Sequence, residues 1–194
     1  GNEWSISDSD GNIIQTCILS FGSEGECTFT LESVDAPECT ALSGDINQDE
    51  IVNVQDIVIM VEFVMGTQTP DDTQFALSDL YPDGIINVQD IVALVEIVMG
   101  GSLARGTATH EASFYYTNDF VSYISDGNIA GIQLEVVGEY EITDTYLPEG
   151  WILESNETTI ILFSMDGSAL DNKKLFSYTG ELKIESSIAA DWYG

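Results

Sequence analysis

Oxygen-bearing side chains stand at alternate positions in two stretches of the chain, Asp45, Asn47 and Asp49 in the first and Asp79 and Asp83 in the second. Alternate oxygens running directly into a helix suit a hard cation that takes many oxygen ligands, which points to calcium. Counted as twelve-residue loops, the first offers Asp45, Asn47, Asp49, the backbone carbonyl of Ile51, Asn53 and Asp56 at positions 1, 3, 5, 7, 9 and 12. The second offers Asp79, Asp83, the carbonyl of Ile85, Asn87 and Asp90, with Tyr81 at position 3, where no carboxylate or amide oxygen is available. These residues are the expected ligands of up to two calcium ions. Glu50 occupies position 6 of the first loop, where a sharp turn favours glycine, so a mildly strained positive φ is expected there. With Tyr81 and Pro82 in sequence, the second site has fewer side-chain ligands. It is expected to be the weaker of the two, or to be completed by water.

The elements that must position these loops form a tandem repeat. Residues 51–66 read IVNVQDIVIMVEFVMG and residues 85–100 read IINVQDIVALVEIVMG, an offset of 34 with 12 of 16 positions identical. A loop-and-helix unit repeated in register is hard to produce by accident. An EF-hand loop would end on Glu at position 12, whereas both copies here end on Asp. Asp at position 12, Asn at position 9 and an Ile-Val helix directly behind resemble type I dockerin repeats, and residues 44–100 are similar to such a pair. The resemblance implies calcium binding and docking onto a cohesin partner. In that family recognition leans on loop positions 10 and 11, commonly Ser-Thr; here they are Val54-Gln55 and Val88-Gln89. The usual docking residues therefore do not carry over, which leaves open a spacer packed rigidly on its own chain.

The helices expected over Ile57–Met65 and Ile91–Met99 are apolar on nearly every face, with Glu62 and Glu96 as their only charges. A surface helix ordinarily buries one stripe. These two should be covered twice, once by each other and once by either a flanking domain of the same chain or a different subunit.

Three regions follow, and the fold class expected is multi-domain and mainly β with a small α unit. Residues 1–42 read as a small β-rich unit, a hairpin around Ser9-Asp-Gly-Asn12 or a three-stranded sheet, too small for a large core. Residues 43–101 hold the repeat pair. Residues 102–194 carry strands at Ser113–Tyr116, Phe120–Ile124, Ile129–Val137, Tyr140–Tyr146, Trp151–Leu153, Thr158–Phe163, Leu175–Ser177 and Glu181–Ile184, separated by Gly, Asp and Asn turns. Many short strands of this kind predict a β-sandwich. The run Gly131-Ile-Gln-Leu-Glu-Val, with Ile160–Met165 and Gly180-Glu-Leu downstream, is similar to cohesin-like sandwich domains that follow dockerin pairs in secreted bacterial proteins. The region is short for that fold, as though an edge strand were missing.

Composition narrows the function. Four Lys and Arg against 34 Asp and Glu give a net charge of −30, which argues against nucleic acid and anionic membrane surfaces. Such a chain favours surroundings rich in cations, and millimolar calcium is an extracellular condition. Cys17, Cys27 and Cys39 allow one disulfide and one spare thiol, with the pair left open. The sequence shows no signal-peptide pattern, so the numbered chain reads as a mature or partial form, and its longest apolar run is too short to span a bilayer. No catalytic constellation is visible: the single histidine, His110, is followed by Glu111, and neighbours on a strand point to opposite faces. Tyr115, Tyr116, Tyr123, Tyr140, Tyr146, Trp151 and Trp192 are candidates for a sugar-stacking face, with core packing the commoner role for such residues. Asn156-Glu-Thr is a glycosylation sequon. Together these features predict a calcium-stabilised, non-catalytic extracellular structural protein that self-assembles head-to-tail, as a filament or surface layer, through dockerin-like and sandwich contacts or strand complementation. The alternative is a carbohydrate- or scaffold-binding module of a secreted polysaccharide-handling system.

Overall fold

A computed structural model describes residues 2–7, 13–19, 42–101, 109 and 111–192, with the backbone alone for the first two stretches. Cys27, Cys39, His110 and the Ser9–Asn12 turn lie outside the described residues. The chain divides into two compact units, residues 1–40 and 41–194.

In the first unit, strands β1 (Asn2–Ser7) and β2 (Ile13–Leu19) pair antiparallel, with Trp4 opposite Cys17 and a register shift between Ile6 and Ser7.

Among the described residues, the second unit begins with three helices, α1 (Val54–Val64), α2 (Asp72–Ser78) and α3 (Val88–Val98). Eight strands follow: β3 (Ala112–Tyr116), β4 (Phe120–Ser125), β5 (Gly131–Val137), β6 (Tyr140–Thr145), β7 (Trp151–Ser155), β8 (Thr159–Ser164), β9 (Lys174–Gly180) and β10 (Lys183–Ala190). They form two four-stranded antiparallel sheets, in the orders β10-β5-β8-β7 and β3-β4-β9-β6. Val121, Tyr123, Leu175, Phe176 and Tyr178 from one sheet and Ile132, Leu134, Val136, Ile160 and Leu162 from the other bury one another in a single apolar cluster. The C-terminal region is thus a β-rich domain with the packing of a sandwich.

The period-2 alternation of strands explains what lies on the other side of the first sheet. Along β5, Ile132, Leu134 and Val136 point to the cluster between the sheets, so Gly131, Gln133 and Glu135 point away from it. Every residue of β8 is buried, because Ile160 and Leu162 face one cluster while Ile161 and Phe163 face another. That second cluster is built with the helices: Ile57, Met60 and Phe63 of α1 and Val88, Ile91, Val92, Leu94 and Val95 of α3 join Ala130, Ile161, Phe163, Ala190 and Trp192. The layers therefore run helices, sheet, sheet. The two apolar helices cover each other, and α3 is covered a second time by its own chain's sheet. For α3, of the two covers left open by the sequence, a flanking part of the same chain is the one found; α1, with Val54 and Val58 exposed, does not receive the expected second cover among the described residues.

Candidate metal centre and the helix faces behind it

Both loops are built the same way from backbone N–H groups closing on carboxylates. In the first, the Asp45 carboxylate accepts from the N–H groups of Asp49 (3.0 Å) and Glu50 (2.9 Å). Asp56 accepts from Ile46 (2.8 Å), Asn47 (3.1 Å) and Asn53 (2.9 Å). Asp49 accepts from Ile51 at 2.9 Å. The second loop repeats the scheme: Asp79 accepts from Asp83 and Gly84, Asp90 from Tyr81 and Asn87, and Asp83 from Ile85. Each loop is thereby wrapped around its first and last carboxylates. The backbone carbonyls expected as ligands, those of Ile51 and Ile85, accept from the side-chain amides of Asn53 (3.3 Å) and Asn87 (3.4 Å).

Asn53 and Asn87 also start the helices. Their side-chain oxygens accept the N–H groups of Gln55 and Gln89, both at 2.8 Å, and each closes a capping box with Asp56 or Asp90. Helices α1 and α3 therefore begin at Val54 and Val88, a turn earlier than expected. The Asn-x-x-Asp spacing is the signal in the sequence for that earlier start. Helix α2 was not expected at all; Asp71 caps it and Gln74 reaches back to close the box.

The charge balance of the loops suits a cation. Asp45, Asp56 and Asp90 are buried carboxylates, and among the described residues no lysine or arginine pairs with either loop. Burial raises the carboxyl pKa of Asp90 above 3.8; the N–H groups of Tyr81 and Asn87 pull it back, the charge on Asp79 raises it again, and the N–H of Leu80 lowers it. An ionised Asp90 thus costs stability wherever nothing positive faces it, and a cation would offset that cost. The donors are all hard oxygens, with no thiolate or imidazole among them, which fits calcium. Among the described residues, no three Asp, Glu, His or Cys side chains gather into a metal-holding group. The expected set is a mixture of carboxylate, amide and carbonyl oxygens, and its carboxylates are turned onto N–H groups.

The backbone strain expected at Glu50 is present, at φ +70°, and Gln48 is at +60°. The equivalent of Glu50 in the second loop is Gly84, at φ +81°, which glycine adopts without cost.

Behind the loops the two helices part company. Val88 and Val92 are 0% and 3% exposed, whereas their repeat partners Val54 and Val58 are 52% and 54% exposed. The reason is Gly131 on β5. A Cβ there would lie 2.7 Å from a methyl of Val88 and 2.8 Å from one of Val92, so the missing side chain is what lets α3 sit down on the sheet. Gln133, two residues along the same face, accepts the N–H of Val88 at 3.1 Å. Its amide donates to Glu135, which also accepts from the Thr159 hydroxyl. Helix α1 is held at its other end, where the Asn156 amide donates to the Met65 carbonyl at 2.8 Å. The sequon asparagine is therefore engaged: its oxygen also accepts the N–H groups of Thr158 and Thr159.

The aromatic candidates are not gathered on one face. Tyr123, Trp151 and Trp192 are buried in the two cores, Tyr140 donates to the Asn156 carbonyl, and exposed Tyr115 and Tyr116 are strand neighbours pointing to opposite sides. Tyr146 is engaged with Ser177 and Lys174.

Among the described residues no helix is long and apolar enough to cross a membrane. No curated protein and no solved structure matches the chain. Type I dockerin domains, which the loop pattern resembles, are non-catalytic modules that bind calcium, generally at two sites, and assemble proteins by binding cohesin partners, typically in secreted or cell-surface complexes. That family, described as Dockerin type I domain, is matched by residues 43–98.

Proposed function

We propose that this chain is a calcium-stabilised, non-catalytic structural protein of the cell exterior that assembles head-to-tail with further copies of itself. One calcium ion is held by Asp45, Asn47, Asp49, Asn53, Asp56 and the Ile51 carbonyl. A second is held by Asp79, Asp83, Asn87, Asp90 and the Ile85 carbonyl. In this reading residues 43–101 form the calcium-binding segment and residues 102–194 the sandwich it is fixed to, with residues 1–42 as a separate small unit.

The observation that supports the reading is the unequal fate of two nearly identical helices. The Val88–Val92 ridge of α3 is spent on its own sheet, while the same ridge on α1, Val54 and Val58, remains half exposed with Ile51 beside it in sequence. An apolar ridge whose duplicate is seated against a glycine-floored sheet has the shape of a docking element. Docking of α3 and the Asn156 bond fix that ridge rigidly to the sandwich, so little ordering entropy is lost when it engages a partner. Calcium neutralises part of the loop charge and so lowers the repulsion between copies that each carry −30.

Sedimentation velocity of the full chain tests this, in millimolar calcium and in chelator. The expected result is large species in calcium that disappear in chelator and are lost or reduced in Val54→Asp/Val58→Asp. A wild-type chain that stays monomeric in both conditions would overturn the reading.

A further inference from the structure

Among the described residues the two four-stranded sheets have four edge strands, β10 and β7 in one, β3 and β6 in the other. An open edge presents unpaired N–H and C=O groups, and proteins commonly blunt such edges with charges, prolines or bulges. Three of the four are blunted. Strand β6 carries Glu141 and Asp144 with a register shift between Ile142 and Asp144. Strand β10 carries Lys183 and Glu185 with a shift between Ile184 and Ser186. Strand β7 carries Glu154. Strand β3 has none of these devices. Its residues are Ala-Ser-Phe-Tyr-Tyr, and it pairs with β4 in unbroken register from Ala112 opposite Ser125 to Tyr116 opposite Val121.

The surroundings of β3 are equally unusual for this chain. From Ala112 to Ser125 the only charged residue is Asp119, in the turn between β3 and β4, although the chain holds 34 acidic residues. Tyr115, Tyr116 and Ile124 are among its exposed large apolar side chains. For two copies of net charge −30, a neutral edge is where approach costs least.

A matching edge exists in the first unit. Strand β2, Ile-Ile-Gln-Thr-Cys-Ile-Leu, carries no charge and, among the described residues, pairs with β1 alone in a two-stranded sheet. A two-stranded hairpin is marginal by itself and gains stability when a third strand or more is added. Strand β2, with seven residues, is long enough to cover the five of β3.

We infer that the β1–β2 hairpin of one copy adds through β2 to the edge of β3, with which no described strand pairs, in a second copy, extending that four-stranded sheet to six strands. This deepens the self-assembly proposed above, and rests on it, by adding a strand contact to the α1 ridge, without which the ridge does not hold copies together. Main-chain hydrogen bonds supply the affinity, as in other strand additions, and repetition from copy to copy gives an open head-to-tail chain.

Two single-site variants test the inference in the full chain with calcium present, by sedimentation velocity across a range of concentrations. Tyr115→Lys puts a charge on the accepting edge at a half-exposed position, and Thr16→Pro removes a donor from β2. Each variant alone is expected to stay monomeric, and an equimolar mixture is expected to form a heterodimer, since one partner keeps an intact hairpin and the other an intact β3. Unchanged circular dichroism of Tyr115→Lys checks that it folds. If wild type and both variants assemble alike, the strand contact is overturned while self-assembly stands. If the hairpin pairs with β3 of its own copy, hydrogen exchange at 112–116 is protected at every concentration and lost in Tyr115→Lys without any change in mass, which also overturns it. A monomeric wild type removes self-assembly and this contact together. Loss of assembly in Tyr115→Lys but not in Val54→Asp/Val58→Asp keeps the strand contact and removes the helix ridge.

Discussion

The two repeats share 12 of 16 residues over the loop ends and helices, yet one helix is a core element and the other is half surface. Where the sheet does not reach, the repeats agree closely: Ile51 and Ile85 are both well exposed, and both asparagines cap their helices with the same bonds. Their sharpest divergence is at the residues facing Gly131, which bury Val88 and Val92 and leave Val54 and Val58 outside, while at the far end it reverses, with Phe63 buried and its partner Ile97 exposed. The fate of a helix face is here decided by what lies opposite. Identical valines become core or surface because one strand offers a glycine and an amide acceptor, and that strand lies far from both in sequence.

The largest effect should come from placing a charge on each ridge in turn. Val88→Asp puts a carboxylate into the core against Gly131 and should cost about 3 kcal/mol or more, read from urea unfolding. Val54→Asp, on the exposed copy, should change stability by about 0.5 kcal/mol or less. Equal costs would erase the distinction between the two faces.

Calcium sharpens the comparison at the loops. If the ion binds the folded chain only, a hundredfold excess over Kd should raise stability by about 2.7 kcal/mol per site. Asp45→Ala should remove most of the first site's share, and Asp79→Ala should remove less, because Tyr81 already leaves the second loop short of a ligand. Melting in calcium and in chelator reads both; an unchanged melting temperature in chelator would sink the calcium assignment.

The smallest effect concerns the turn at position 6, where the loops differ by one residue. Glu50→Gly should relieve the positive φ and stabilise the calcium-free chain by about 1 kcal/mol, while Gly84→Ala should destabilise it by a similar amount. Chemical denaturation in chelator measures both, and effects of the same sign would contradict the assignment of strain to Glu50.

Much of the β region was legible in sequence because inward and outward residues alternate over short runs between Gly and Asp turns. All eight expected strands are present, most with ends shifted by one or two residues. Strand β10 was expected to end at Ile184 but runs to Ala190, since the bulge at Ile184–Ser186 breaks the alternation and Ser186-Ser187 reads as polar. The loops were legible as ligand patterns because oxygen-bearing side chains alternate along them. Their second role, starting the helices, is masked in the sequence because the same asparagines, Asn53 and Asn87, stand at ligand position 9 and at the helix N-caps. The seating of α3 could not be read at all. It depends on Gly131, whose meaning emerges only when the strand and the helix are brought together.

That seating changes what a dissection of this molecule would yield. A cut after residue 101 looks natural in the sequence, since the repeat pair ends there. It would strip Val88 and Val92 from their sheet and bare Ile161, Phe163 and Trp192 on the other fragment, leaving each piece with a sticky face. Residues 41–194 form one compact unit that keeps both faces covered, and that stretch is the natural cassette for grafting this scaffold into another protein.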